Sequence, residues 1–253
     1  MQPKQPTTAI STFNEGGATI RGYDLVSELI GRISFSEMIY LYVQGTRPTP
    51  EAAHMLDAIL VTMVDHGVPA GLTARLTLRS APESLQGAVA AGLLGVGSQF
   101  GGVMENAGQL LQHIVQHQLD RPQTEDLVRA KRAAKQAIPG FGHPDFRPVD
   151  PRAQRLLDIA TEQGLAGAHI DALKQLSQAV DAVVGKPVTI NVTGAISAIL
   201  ADMGLPPRIM RGISLIARTP GLVGQLKEEM ENPIANHFQS IARRDVGYTP
   251  DTE

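Results

Sequence analysis

Three separate helix starts, set against almost no alternating strand pattern, confine this chain to a helical fold. Ser34-Phe35-Ser36-Glu37 puts a hydroxyl before a helix and a carboxylate three residues on, so each side chain can satisfy the other's backbone N–H. Gly45 is placed to close that helix. Thr49-Pro50-Glu51 combines a hydroxyl cap with a proline at the first helical position, where its missing N–H costs nothing, and Asp150-Pro151 opens a helix the same way. Behind Pro50, residues Met55, Leu56, Ile59, Leu60, Met63 and Val64 recur at helical spacing, and Leu156, Leu157 and Ile159 do so behind Pro151. Leu85, Ala88, Val89, Gly92, Leu93 and Val96 form a stripe rich in small residues that lets a second helix approach closely, and this segment is expected to be central. Only Thr7–Ile20 and Val188–Val192 read as possible strands. The expected fold class is mainly α.

A chain of 253 residues buries a sizeable core and needs no disulfide or metal to stay folded. It holds no cysteine and lacks a charged start leading into an apolar signal segment, so a cytoplasmic setting is expected. The longest apolar runs, 85–96 and 209–223, are interrupted by Gln86, Arg211, Arg218 and several glycines, short of the ~20 unbroken residues a membrane span requires. A net charge of −3 and an aromatic content of 4% argue against a phosphate-tracking face or base-stacking platform, so neither nucleic acid nor membrane is an expected partner.

The most informative string is Ile138-Pro139-Gly140-Phe141-Gly142-His143, where two glycines around one aromatic permit close ligand approach and present a histidine at the loop's end. By itself such a string is more often a plain turn. Arg147 and Arg152 follow closely, so one segment supplies an acid–base group and two planar cations suited to phosphate or carboxylate. Asp65-His66-Gly67 reads either as a helix C-terminus or as a second histidine for a site. Arg218 sits in an apolar helical stretch with no Asp or Glu near it in sequence; buried, it would need an anionic partner, and a ligand would serve.

In order along the chain, Ile20-Arg21-Gly22-Tyr23, Asp65-His66-Gly67, Gly97-Ser98-Gln99-Phe100-Gly101-Gly102, Gly140-Phe141-Gly142-His143, Asp150-Pro151-Arg152, Asn191-Val192-Thr193-Gly194 and Ala217-Arg218 resemble the citrate synthase superfamily. The resemblance implies an all-α homodimer with its site in a cleft between two domains, the small one at 103–195 and the large one at 1–102 and 196–253. It implies that His143 is the catalytic histidine at the carbonyl or hydroxyl oxygen of the oxaloacetate or citrate moiety, and that His66 hydrogen-bonds the same ligand. Arg152 and Arg218 correspond to arginines that clamp its carboxylates, and Arg243 or Arg244 to an arginine crossing from the partner subunit. Arg147, the backbone of Pro139, Gly140, Phe141 and Gly142, and Asn191 correspond to coenzyme A contacts. Coenzyme A enters as part of the substrate, with no permanent cofactor and no metal.

Two departures shape the expected activity. Phe100 stands where citrate synthases carry a histidine that bonds the enolate oxygen, a change similar to that in the citryl-CoA lyase module of ATP-citrate lyase. Thr193 stands where both branches carry the aspartate that exchanges the acetyl-CoA methyl proton, and a hydroxyl is no useful base near neutral pH. Glu105, Asp145, an ordered water or a less demanding substrate are the open explanations. The resemblance therefore implies a citryl-CoA lyase-like enzyme, cleaving citryl-CoA to acetyl-CoA and oxaloacetate, with His143 taking the hydroxyl proton. A synthase-type condensation and a catalytically weak acyl-CoA- or tricarboxylate-binding paralogue are the rivals.

Overall fold

Each expected helix start is realised in the computed structural model, which describes residues 6–65, 68–97 and 103–250. Ser34 Oγ accepts from Glu37 N at 3.2 Å while the Glu37 carboxylate accepts from Ser34 N at 2.7 Å, opening α1 (Phe35–Gln44), and Gly45 ends it in the left-handed conformation. Thr49 Oγ1 accepts from Ala52 N at 3.2 Å at the head of α2 (Pro50–Met63). Next come α3 (Val68–Ser80), α4 (Leu85–Leu94), α5 (Met104–Gln116) and α6 (Arg121–Ala133). A further reciprocal capping box, Asp120 with Gln123, starts α6; its signature lies in the sequence but was not among the expected starts. Then follow α7 (Pro151–Glu162), α8 (Ala168–Val184), α9 (Val192–Asp202), α10 (Pro207–Glu231) and α11 (Ala235–Asp245).

One continuous apolar core runs from Ile39 through Met55, Ile59, Met104, Leu111, Leu156, Leu173, Ile196 and Ile199 to Ile213. Within it α9 packs against α5, α7 and α8, and every residue from Gly194 to Leu200 is buried. This helix, not the 85–96 stripe, is the central one. The stripe does admit close neighbours: a methyl on Gly92 would sit 2.8 Å from Leu222 of α10 and 3.1 Å from Ala74 of α3. But it belongs to a satellite cluster with Leu78 and Leu226, and Leu94 is 86% exposed.

The first possible strand region supplies β1 (Ser11–Asn14) and β2 (Gly17–Ile20) of a small antiparallel sheet, which β3 (Tyr23–Asp24), just beyond the expected region, completes, flanked by a π-helical turn at Leu25–Leu29. The second does not: Val188–Val192 contributes one isolated bridge, Ile190 to Phe141, because Asn191 already caps α9 and Val192 is its first residue. Helix α10 carries Pro220 in its interior, and a methyl on the adjacent Gly221 would lie 1.9 Å from Val64 O. Only glycine lets α10 touch the end of α2, which seats Arg218 beside Asp65. No described helix is long and apolar enough to cross a membrane.

Candidate active site

The loop 138–143 is held by the segment in front of α9. Gly142 N donates to Thr189 O at 2.8 Å, Asn191 N to Gly140 O at 3.0 Å, and Asn191 Nδ2 to Gly142 O at 3.0 Å. The Asn191 carboxamide oxygen meanwhile accepts from Gly194 N at 3.1 Å, so one side chain both caps the helix and fastens the loop. Thr189, buried, donates toward Phe146 O at 3.1 Å and Pro148 O at 3.0 Å. Gly140 adopts φ +91°, and a methyl there would stand 2.8 Å from the Gly194 Cα; one on Gly194 would stand 2.5 Å from Gly140 O. Paired glycines are what let this loop lie directly on the first turn of α9.

His143, at the end of the loop, has a side chain only 10% exposed. Its Nδ1 lies 3.1 Å from both Asp145 N and Phe146 N, and its Nε2 lies 3.1 Å from Arg152 Nη2. Three donors cannot all bond one neutral ring with a single bare nitrogen. Two backbone amides that can only donate converge on Nδ1, whereas the guanidinium already donates to Asp150, so Nδ1 is the acceptor and the proton sits on Nε2. The Nε2–H and Arg152 Nη2–H groups then converge on one small volume. An oxygen placed there would accept from both.

Arg152 is oriented by Asp150, which is wholly buried: Nε bonds Oδ1 at 3.0 Å and Nη2 bonds Oδ2 at 2.9 Å, while the guanidinium stacks 4.9 Å from the Phe146 ring centre. Asp150 also accepts from Arg152 N at 3.0 Å and Val192 N at 3.1 Å. Burial alone would raise its pKa, but the Arg152 hydrogen bonds and charge, with the two amides, outweigh it and hold the carboxyl below its usual value. Asp150 therefore ties the arginine to the start of α9, a role the sequence reading missed because it treated this residue only as a cap.

A cavity of about 940 Å³ opens beside the loop, walled by Leu110 and His113 of α5, Leu127 and Lys131 of α6, and the backbone run that includes Pro139, Gly140 and Phe141, with Asn191. Four of the expected coenzyme A contacts thus line one space. Gly142 and Arg147 are not among its walls: Gly142 faces Thr189, and exposed Arg147 donates from Nε to His143 O at 3.3 Å, bracing the turn. Lys131 and Lys135, which do line it, were missed by the sequence reading. Their spacing of four at a helix end was the available signal.

The remaining expected residues are more scattered. Arg218 is buried as anticipated, but its anionic neighbour comes from the chain itself: Asp65 Oδ1 lies 3.6 Å from its Nη1. The anionic partner that a buried Arg218 needs is thus supplied in part by folding, which brings together residues 153 apart in sequence. Desolvation lowers the Arg218 pKa, with Asp65 opposing. Thr193 lies in the first turn of α9, and its carbonyl accepts from Ser197 Oγ at 2.7 Å, which also lies 3.0 Å from Met104 O. Glu105 pairs with Arg211 of α10 at 3.1 Å and is not among the cavity walls, and Asp145 is largely exposed, 4.0 Å from His143 Nδ1. Arg243 and Arg244 are exposed on α11, which packs against α3; Arg244 bonds Asp245. His66 and Phe100 lie outside the described residues.

Comparison with known proteins follows the same lines. The family model for the citrate synthase C-terminal domain matches residues 42–243. The structure of citryl-CoA lyase from Hydrogenobacter thermophilus superposes with a TM-score of 0.89 at 35% identity, covering 99% of this chain and 96% of that one. ATP citrate lyase from Methanosaeta concilii in complex with (3S)-citryl-CoA gives a TM-score of 0.81 at 20% identity, covering all of this chain and 43% of the other. The citrate synthase of Synechocystis is 28% identical over 227 residues, 86% of this chain and 55% of that protein, and that of Deinococcus radiodurans is 24% identical over 97% of this chain and 63% of that protein. The chain thus spans little more than half the length of these two synthases. With a family model covering most of its length and a 35% identical structure aligned almost end to end, the chain belongs to the citrate synthase family.

Proposed function

We propose that the chain is a citryl-CoA lyase-type enzyme that splits citryl-CoA into acetyl-CoA and oxaloacetate. The observation that carries this reading is the convergence of His143 Nε2 and Arg152 Nη2, 3.1 Å apart, at the end of a loop that walls a 940 Å³ cavity. The cavity takes the coenzyme A portion, whose thioester is the substrate's own, and the paired N–H groups take the oxygen at which charge changes. In cleavage the tertiary hydroxyl passes its proton to His143 Nε2, its oxygen becomes the ketone of oxaloacetate, and the electron pair of the broken C–C bond becomes the thioester enolate. Protonation of that enolate at carbon completes acetyl-CoA. With Nδ1 held by two amides, His143 donates from Nε2 to the substrate oxygen in its resting tautomer, and it accepts the hydroxyl proton at Nε2 after the ring shifts tautomer and gives up both amide bonds. The family resemblance assigns Arg152, Arg218 and His66 to the carboxylates, and Phe100 and Thr193 to substrate binding.

The site lies between a small domain at 103–195 and a large domain at 1–102 and 196–253, a reading supported by the packing of α8 against α5 and α6. A homodimer completes it, with Arg243 or Arg244 reaching the partner's cleft, a reading supported by their exposure and by exposed Leu85 and Leu94 on α4. The cysteine-free sequence suits a cytoplasmic location. Thr193 favours a second reading, a binder of acyl-CoA or tricarboxylate with little turnover, and the condensation direction shares the same transition state. One experiment separates them: incubation with citryl-CoA, and separately with acetyl-CoA plus oxaloacetate, followed by quantification of thioesters and 2-oxo acid. Release of acetyl-CoA and oxaloacetate in equal amounts supports the lyase, whereas saturable binding without turnover of either mixture refutes it.

A further inference from the structure

Arg218, Gly221 and Gln225 follow one another at intervals of three and four along α10, so they share one face of the helix, and that face lies on the end of α2. Gly221 makes the close approach to Val64 O, and on either side of it a side chain reaches Asp65. Gln225 Nε2 donates to Asp65 Oδ1 at 2.6 Å, whereas Arg218 Nη1 stands 3.6 Å from the same oxygen, beyond hydrogen-bond reach. The order is the reverse of what chemistry favours. A guanidinium bonds a carboxylate about twice as strongly as a neutral amide does, yet here the amide makes the contact and the cation is kept off.

Arg218 is also the group for which that separation costs most. Its side chain is 6% exposed, its Nη1 is buried with no hydrogen-bond partner, and Asp65, 44% exposed, is the charge that opposes its desolvation. What fixes the amide lies on its other side. The Gln225 carboxamide rests on Gly71 of α3, where a methyl would fall 1.4 Å from Oε1 and 2.5 Å from Cδ. Gln225 therefore joins the end of α2 to the first turns of α3, across the connection whose sequence includes His66.

We propose that Gln225 is a positioning residue that holds Asp65 away from Arg218 and so keeps that guanidinium available to a substrate carboxylate. The inference rests on the reading of Arg218 as a carboxylate holder and adds what keeps it open. Were Asp65 to close on the arginine, an internal carboxylate would occupy the N–H groups that the substrate's own requires. The probe is oxaloacetate, titrated calorimetrically into wild type, Gln225→Leu, Gly71→Ala and Asp65→Asn/Gln225→Leu, with thermal melts confirming folding. Leucine keeps the bulk against Gly71 but cannot donate, so Asp65 turns to Arg218 and oxaloacetate affinity is expected to fall by about tenfold, as one charge-assisted bond changes partners. The KM for citryl-CoA should rise by a similar factor with kcat little changed, because the contact is made alike in ground and transition states. Gly71→Ala displaces the carboxamide, the far end of a flexible side chain, and should lower affinity in the same direction. Removal of the competing carboxylate in Asp65→Asn/Gln225→Leu should return most of the affinity, a reversal that a merely structural role for Gln225 would not produce.

Unchanged affinity in Gln225→Leu and Gly71→Ala, a loss that Asp65→Asn does not reverse, or no oxaloacetate binding by wild type would each overturn the proposal. Gln225-dependent binding of oxaloacetate by a protein that does not cleave citryl-CoA would sustain this role while refuting the proposed activity. Cleavage with an unchanged citryl-CoA KM in Gln225→Leu would refute the role of Gln225 alone.

Discussion

Asp150→Asn tests whether the arginine clamp depends on the buried carboxylate beneath it. Asp150 is fully buried and accepts from Arg152 N, Nε and Nη2 and from Val192 N, at 2.9–3.1 Å. The amide removes the negative charge and turns one acceptor into a donor facing N–H groups, leaving Arg152 without its counter-charge. Breaking a buried ion pair costs about 3–5 kcal/mol. The Arg152 side chain is 30% exposed and can rehydrate in part, so about 2–4 kcal/mol is expected. Urea unfolding followed by circular dichroism measures this through the midpoint at unchanged m. The sign of the pH dependence is fixed by the depressed pKa of Asp150. Its contribution is fully present above the unfolded carboxyl pKa, about 3.9, and is lost as pH falls from there through the lower folded value. The gap between wild type and Asp150→Asn should therefore be constant between pH 6 and pH 8, on the order of those few kcal/mol, and shrink only below about pH 4. A gap under about 1 kcal/mol at neutral pH, the range of an exposed pair, would refute the reasoning.

Three further outcomes are expected. His143→Ala should lower turnover of citryl-CoA by about 10²–10⁴-fold while ligand-induced thermal stabilisation persists, because the ring acts on the reacting oxygen and not in the core; unaltered turnover would remove the assignment. Mixed dimers of inactive His143→Ala with inactive Arg243→Ala or Arg244→Ala chains should regain part of the activity, and no rescue after verified subunit exchange would argue against a shared site. Thr193→Asp should raise deuterium wash-in at the acetyl group of acetyl-CoA, read by mass spectrometry with and without oxaloacetate; rapid exchange already present in wild type would show that another group moves that proton.

What the sequence by itself determined is local. Ser34 with Glu37, Thr49 with Ala52 and Asp150 with Arg152 are caps closed within three residues, so the side chain that stops or starts the helix is written beside it. His143 and Arg152, nine residues apart on one loop and helix start, were legible for the same reason. The tertiary structure decided whatever joined distant segments. Val188–Val192 has the composition of a strand, but Asn191 bonds the Gly140–Gly142 loop and caps α9, so the segment ends as a bridge and a helix. Arg218 has no acidic neighbour along the chain, and Asp65 reaches it only because Gly221 lets α10 lie against the end of α2. Asp150 gains its second role when packing brings Val192 N to its other oxygen. Lys131 and Lys135 became site candidates only once α5, α6 and the loop enclosed a cavity between them. Caps depend on hydrogen bonds formed within a single turn, whereas these contacts depend on close packing between surfaces 40 to 150 residues apart, and no local pattern encodes which surfaces will meet.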